Sequence, residues 1–246
     1  MYDPKGNSKT RSGDGVSFAE AKPPPHLRDI VHRFLQIRTP APLPQGYQFH
    51  ALPDACTYAV FDQLTPDIAG ITRLKASSEE LSLGHQFHYV NIRFLPGVWQ
   101  GNRADVLYGL VNAPYAGEFP LIALNQRLMG HDFTTQQTYL SDFVQDLMGQ
   151  GIVVANPITR AIFKHMADIH SVADMAGVAG LSPRQLQRVL RRSTGFAPHD
   201  FLKIIRLQQS LRGEPSLSYA DQSHFIHSFR KATGYTPGQF SRKFDV

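Results

Sequence analysis

The sequence predicts an α+β protein with a β-rich N-terminal domain, a helical connector and an all-α C-terminal domain. Residues 47–75 are rich in aromatic and β-branched residues and are interrupted by proline and glycine, which is typical of several short strands. From about residue 107 the apolar residues recur at helical spacing. The charge changes as well: residues 1–155 carry 12 Lys and Arg against 14 Asp and Glu, whereas residues 156–246 carry 13 against 6.

The N-terminal half divides into short apolar segments. Residues 1–25 are polar, glycine-rich in their first part and end in three prolines, which predicts a flexible segment. A regular domain is expected over residues 26–155. Its first apolar residues, between His26 and Arg38, have helical spacing, although Phe34 to Ile37 could equally begin a strand. A further strand is expected from His85 to Leu95.

The connector is predicted to contain three helices. Leu107, Leu110 and Val111 indicate a short helix, and residues 121–128 indicate a second. A longer helix ends at Gly149 and carries an apolar stripe formed by Tyr139, Leu140, Phe143, Val144 and Leu147. This stripe either packs on its own domain or meets a second copy of the chain in a homodimer, and the sequence leaves both alternatives open.

The C-terminal domain is expected over residues 156–246. Asn156-Pro157 indicates a helix start, since proline suits the first helical position. Two short helices are expected over residues 171–177 and 183–193, with the break Ala179-Gly180-Leu181 between them. Ser182 is a good N-cap for the second of these helices. Two short helices joined by a tight turn that contains glycine are typical of a helix-turn-helix.

The helix over residues 183–193 has one apolar and one polar face. Leu186, Val189 and Leu190 form an inward stripe. Another face carries three cations and an amide, Arg184, Gln187, Arg188 and Arg191. Arginine can donate two hydrogen bonds to guanine, and glutamine can pair with adenine in the major groove. An ordinary solvated helix would show the same row, but the turn, the N-cap and the basic region together favour a DNA-reading helix.

Part of this unit is repeated 39 residues later. The residues from Arg191 to Pro198 align with those from Arg230 to Pro237, and Phe201 aligns with Phe240. The second copy has its own candidate recognition helix over residues 222–232. Its candidate DNA contacts are Gln222, Ser223, Ile226, His227 and Arg230. A helix from Phe201 to Leu211 would join two units that meet successive segments of the major groove.

The segment from about Ile169 to Phe244 resembles the DNA-binding domain of AraC-type transcription regulators. The similar stretches are residues 176–188, residues 220–230 and the closing motif Gly-Tyr-Thr-Pro-Gly-Gln-Phe over residues 234–240. The resemblance implies base-reading roles for Arg184, Gln187, Arg188, Gln222, Ser223, Ile226 and His227. Leu52-Pro53-Asp54 and residues 90–97 resemble the regulatory domain that one branch of the family carries. The resemblance therefore implies that residues 26–155 sense a small-molecule effector or mediate self-association.

One feature departs from the family pattern. The family separates its two helix-turn-helix units more widely than the 39 residues found here. Residues 212–216, Arg-Gly-Glu-Pro-Ser, stand where the supporting helix of the second unit is expected, and glycine and proline both oppose a helix. The sequence therefore predicts a complete first unit and a shortened second unit.

Other chemistry receives little support. His85 and His88 lie three residues apart in a predicted strand, so their side chains would point to opposite faces and suit a metal poorly. Cys56 is the only cysteine, which excludes an internal disulfide, and we expect it to be a small buried side chain. Trp99 is expected in the core. The sequence contains no phosphate-cradling glycine loop and no nucleophile elbow, so no enzyme, metal site or cofactor is predicted.

The expected protein is a cytoplasmic regulator that binds double-stranded DNA. No run of about 18 apolar residues and no charged-then-apolar leader is present, so no membrane partner is expected. Sequence-specific readout would be carried by the helix over residues 183–193. The alternative is a small-molecule-binding or protein-interaction module whose DNA-binding domain is impaired by the shortened second unit.

Overall fold

All strands of the structure precede its α-helices along the chain. The computed structural model describes residues 15–210 and 222–244. The strands in these ranges are β1 (Ser17–Ala21), β2 (Val31–Arg38), β3 (Tyr47–Ala51), β4 (Thr57–Asp62), β5 (Ala69–Arg73), β6 (Glu79–Gly84), β7 (His88–Phe94) and β8 (Val106–Tyr108). The helices are α1 (Leu121–Leu128), α2 (Phe133–Gly149), α3 (Pro157–Lys164), α4 (Val172–Val178), α5 (Pro183–Ser193), α6 (Pro198–Ser210), α7 (Gln222–Thr233) and α8 (Pro237–Phe244). This order confirms the predicted α+β class.

Six strands form one sheet in the order β1-β2-β7-β4-β5-β8. Neighbouring strands are antiparallel except for β5 and β8, which are parallel. Strands β3 and β6 form a separate antiparallel pair. On one side of the large sheet, buried residues of β2, β4 and β7 pack against α1 and α2 in a single apolar core. The N-terminal part is therefore β-rich and is followed by a helical connector.

The helix that was one reading of the segment from His26 to Arg38 is wrong, and the strand alternative is confirmed. A single 3-10 turn over Pro25–Leu27 is followed by β2. Six of the eight residues of β2 are buried, because the strand lies between β1 and β7 and is covered on both faces. A strand that is buried on both faces loses the alternation that distinguishes it from a helix.

Two other N-terminal expectations need correction. The short helix expected around Leu107 is strand β8, which pairs with β5 and ends where Gly109 adopts a φ of +82°. The segment expected to be flexible contains strand β1, which pairs with β2. Pairing with a core strand orders this polar sequence, whereas residues 1–14 lie outside the described residues.

Strand β6 was not predicted at all, and the strand expected from residue 85 begins three residues later. Residues 79–84 contain two glutamates and alternate between half-buried and exposed positions, so the apolar signal is weak. His85 lies in the turn before β7, where its Nδ1 is 3.0 Å from the Leu43 carbonyl oxygen. His85 and His88 are therefore not on one strand.

The connector helices α1 and α2 lie where the sequence predicts them. Leu140, Phe143, Val144 and Leu147 are buried in the core of their own domain. The packing alternative for this stripe is thus confirmed, and self-association through it would lack an exposed apolar surface. Trp99 is also buried, with its ring centroid 5.8 Å from that of Phe94.

Candidate nucleic-acid interface

Helices α4 and α5 form the predicted helix-turn-helix. The Oγ atom of Ser171 accepts the backbone N–H of Asp174 and caps α4. Gly180, with a φ of +65°, forms the turn before α5. Ser182 and Gln185 make a reciprocal capping box at the start of α5, in which the Gln185 N–H donates to Ser182 Oγ and the Ser182 N–H donates to Gln185 Oε1. Both helix starts therefore follow from local sequence.

The apolar stripe of α5 fixes which of its faces is exposed. Leu186 and Leu190 are fully buried and share an apolar cluster with Met175 of α4 and with Phe201 and Ile205 of α6. Because this stripe faces inward, the other face of α5 remains accessible. The exposed side chains on that face are Arg184, Gln187, Arg188 and Arg191. Their contact with DNA stays a prediction.

The charge of this helix-turn-helix is strongly positive. Between residues 171 and 193 there are four arginines and a single acidic residue, Asp174. The carboxylate of Asp174 accepts the backbone N–H of His170 at 2.9 Å, and this hydrogen bond lowers the pKa of Asp174 below its usual value. Asp174 therefore remains anionic at the start of α4, away from the arginine row of α5.

The internal repeat is confirmed by identical local geometry at the ends of α5 and α7. Thr194 Oγ1 donates to the Leu190 carbonyl oxygen at 2.7 Å, and Thr233 Oγ1 donates to the Phe229 carbonyl oxygen at 2.8 Å. The glycine that follows each threonine has a positive φ, +86° in the first unit and +80° in the second. A proline then begins the next helix in both units. The 39-residue repeat is thus structural as well as sequential.

Three of the five candidate residues in the second unit have described side chains. Ile226, His227 and Arg230 are exposed on α7, whereas Phe229 is buried. Gln222 and Ser223 lie in the first turn of α7, but their side chains are outside the described part of the structure. Residues 212–216 are also outside it, so the shortened second unit remains a prediction.

A cationic cleft between α6, α7 and the N-terminal part was not foreseen. It has a volume of about 590 Å³ and is lined by Lys203 and Lys231, by His199 and His227, and by Asp200. Both lysines are exposed. Lysines beside a recognition helix are suited to phosphate contacts. The signal that could have indicated them is the one-turn spacing of His199 and Lys203 on α6, and of His227 and Lys231 on α7.

The β-rich part contains a mainly apolar cavity of about 110 Å³. It lies between the six-stranded sheet and the β3–β6 pair, where its lining includes Phe18, Leu35, Phe49 and Leu81. Asn91 also lines it, and within the described residues its Oδ1 atom is buried without a hydrogen-bond partner. An unpaired buried acceptor is costly, so this position suits a ligand that donates a hydrogen bond.

One wall of this cavity is built on a buried polar cluster. The Tyr58 hydroxyl donates to Asp54 Oδ2, and Arg93 Nε donates to the Tyr58 hydroxyl at 2.9 Å. The backbone N–H of Cys56 donates to Asp54 Oδ1 at 2.7 Å, and Cys56 itself is buried as predicted. Burial raises the pKa of Asp54, and the positive charge of Arg93 opposes this shift. The sequence signal that was missed is a charged residue, Arg93, inside an apolar strand.

Neither a metal site nor a membrane span is found in the part of the chain that the structure describes. In residues 15–210 and 222–244, no three His, Cys, Asp or Glu side chains group as metal ligands would. No helix in the same ranges is long and apolar enough to cross a membrane.

Comparison with known proteins gives two structural matches. No protein-family model matches the chain, and no curated protein matches it. A crystal structure of ToxT from Vibrio cholerae O395 shares 14% sequence identity, covers 75% of this chain and 84% of its own, and has a TM-score of 0.40. A second structure of ToxT from Vibrio cholerae shares 13% identity, covers 91% of this chain and 97% of its own, and has a TM-score of 0.42.

Proposed function

We propose that the protein is a transcription regulator that binds double-stranded DNA in a sequence-specific manner through α5. The observation that carries the proposal is the exposed row of Arg184, Gln187 and Arg188 on a helix whose opposite stripe is fully buried. The N-cap, the glycine turn and α4 hold this helix as the second member of a helix-turn-helix. The resemblance of residues 169–244 to AraC-type regulators supports the same function.

The two ends of α5 would have different roles on the duplex. Residues near the N-terminus of a recognition helix contact base edges, so Arg184, Gln187 and Arg188 would read bases in the major groove. Arg191 lies in the last turn and would contact phosphate. In the second unit, Gln222, Ser223, His227 and Arg230 would supply polar contacts. Ile226 is exposed and apolar, and could meet a thymine methyl group.

The test is a titration of a fluorescent random duplex with the full chain at increasing salt, followed by anisotropy. Each phosphate that the protein neutralises releases counterions, so the logarithm of the binding constant falls by about 0.9 per contact for each tenfold increase in salt. We expect a steep fall for the basic C-terminal part. Absence of binding at low salt would refute the proposal and favour the alternative of a module with an impaired DNA-binding domain.

The cavity favours control by a small molecule as a second part of the function. Its lining is mostly apolar and includes the buried unpaired Asn91 Oδ1, which suits a compact apolar molecule with one hydrogen-bond donor. A ligand that binds only the folded state raises the melting temperature. We expect benzyl alcohol to stabilise the full chain, and to have no effect on a Val60→Phe variant whose larger side chain fills the cavity. Equal shifts in both proteins would exclude the cavity as the binding site.

A further inference from the structure

A single short segment of the β-rich part contacts the ends of both candidate recognition helices. The segment is residues 73–78, which run from the last residue of β5 to the residue before β6; we call it the linking segment. At one end, Arg73 Nη2 donates to the Ser193 carbonyl oxygen at 3.0 Å, where α5 ends. At the other end, the backbone N–H of Ser78 donates to the Ala232 carbonyl oxygen at 2.8 Å, in the last turn of α7.

These two carbonyl groups occupy the same position of the internal repeat. Ser193 and Ala232 are 39 residues apart, which is the repeat period, and each directly precedes the threonine and glycine that end its helix. The linking segment therefore holds equivalent points of the two units. The last carbonyl groups of a helix lack partners within the helix, so a donor from another element satisfies them.

The first anchor is held firmly. Arg73 is only 2% exposed, and its Nε also donates to Thr57 Oγ1 at 2.9 Å. In the described part of the chain no carboxylate forms an ion pair with Arg73, so its charge is stabilised by the negative end of α5. A Cβ atom at Gly195 would lie 3.2 Å from Arg73 Nη1, and glycine at this position therefore leaves the space that the guanidinium group needs.

The second anchor is reinforced by the residues that follow β3 and by β3 itself. His50 Nε2 lies 3.0 Å from the Thr233 carbonyl oxygen, one residue after the group that Ser78 contacts. Leu52 is buried in an apolar cluster with Leu207, Phe229 and Phe240. Helix α7 is thus supported by the β-rich part through both hydrogen bonds and apolar contacts.

We propose that the linking segment fixes the separation of α5 and α7 and so pre-arranges them for one DNA duplex. This inference rests on the proposed DNA-binding function. The anchors hold the C-terminal ends of the helices, which leaves the exposed row at the start of α5 open to DNA. Holding two reading elements in their bound arrangement before DNA arrives lowers the cost of binding. Leu74 of the segment also lines the apolar cavity, which gives a bound effector a direct route to both helices.

The separation can be measured without DNA by electron–electron double resonance in the full chain. Spin labels are placed at Arg192→Cys and Lys231→Cys, two exposed and repeat-equivalent positions, in a Cys56→Ala background. Ser78→Pro removes the N–H that contacts α7, and insertion of two glycines after Ala76 lengthens the segment while keeping both anchors. Ser78→Ala keeps the N–H and serves as the matched control.

We expect a narrow distance distribution in the parent and in Ser78→Ala, and a broad one in both Ser78→Pro and the glycine insertion. Equally narrow distributions in all four proteins would overturn the proposal. Affinity for a random duplex is measured in parallel and should fall several-fold in the two broadened variants. If their affinity equals that of the parent, the pre-arranging role is refuted. If the parent does not bind DNA, the proposed function fails, and the distances still decide whether the segment fixes the helices.

Discussion

Replacing Arg184 and Arg188 together by alanine lowers the affinity of the full chain for duplex DNA by at least about tenfold. Both side chains are exposed on α5, one helical turn apart, in the half of the helix that enters the groove first. A well-placed arginine contact to a base is worth about 1–3 kcal/mol, and about 1.4 kcal/mol corresponds to tenfold in affinity. Neither residue is buried, so the fold should be unaffected. The measurement is fluorescence anisotropy at one fixed low salt concentration.

The matched control removes two charges at a distance from α5. Arg28 and Arg103 are exposed residues of the β-rich part, and Arg28→Ala/Arg103→Ala changes the net charge by the same amount. We expect this variant to bind nearly as well as the parent, since the distance from α5 weakens its effect through screening by salt. Equal losses in the two double variants would mean that net charge alone governs binding.

Replacing Phe201 by alanine lowers the free energy of unfolding by about 3–5 kcal/mol, the usual cost of removing a buried phenylalanine. The Phe201 side chain is fully buried in the cluster that joins α4, α5 and α6, and its ring centroid lies 6.0 Å from that of Phe163. The same cluster includes Cys56 and Tyr58 of the β-rich part. A cavity there should therefore destabilise the contact between the two parts as well as the first helix-turn-helix. Chemical denaturation followed by circular dichroism measures the loss.

The repeat supplies a comparison for this substitution. Phe240 is the equivalent residue of the second unit and is 3% exposed, but its buried apolar neighbours are Leu52, Leu207 and Phe229 only among the described residues. Phe240→Ala should cost less than Phe201→Ala, because fewer buried contacts are lost. Lys203→Ala, at an exposed position of α6, should have almost no effect. A larger loss for Phe240→Ala would contradict this account of the two cores.

The sequence predicts the first helix-turn-helix well because its signals are local. Ser182 and Gln185 cap α5 through contacts three residues apart, and the stripe of Leu186 and Leu190 follows directly from helical spacing. Such features require no knowledge of distant parts of the chain. The exposed face of α5 could therefore be derived from spacing alone.

The strands are harder to predict because their patterns depend on what covers them. Strand β2 is buried on both faces and resembles a helix in its spacing, whereas β6 is so polar that it resembles a loop. The three apolar residues around Leu107 are too few to distinguish a helix from the short strand β8. Each of these errors concerns an element whose conformation is decided by its partners.

The contacts between the two parts could not be predicted from the sequence. The hydrogen bond from Arg73 to Ser193 spans 120 residues, and the contact of His50 with Thr233 spans 183. Nothing near either residue in the sequence indicates its partner. Arg93 gives a weaker signal, since a charged residue between Ile92 and Phe94 in a strand requires a buried partner, but the sequence does not identify Asp54 as that partner.

The central claim is that α5 reads bases, and selection from a random duplex library tests it most directly. The full chain and Arg188→Ala are each used to enrich bound duplexes, which are then sequenced. We predict a recurring motif for the parent, and relaxed base choice at one position of that motif for the variant. An equal loss of binding on every sequence would make Arg188 a phosphate contact. Absence of any enriched motif for the parent would contradict sequence-specific recognition.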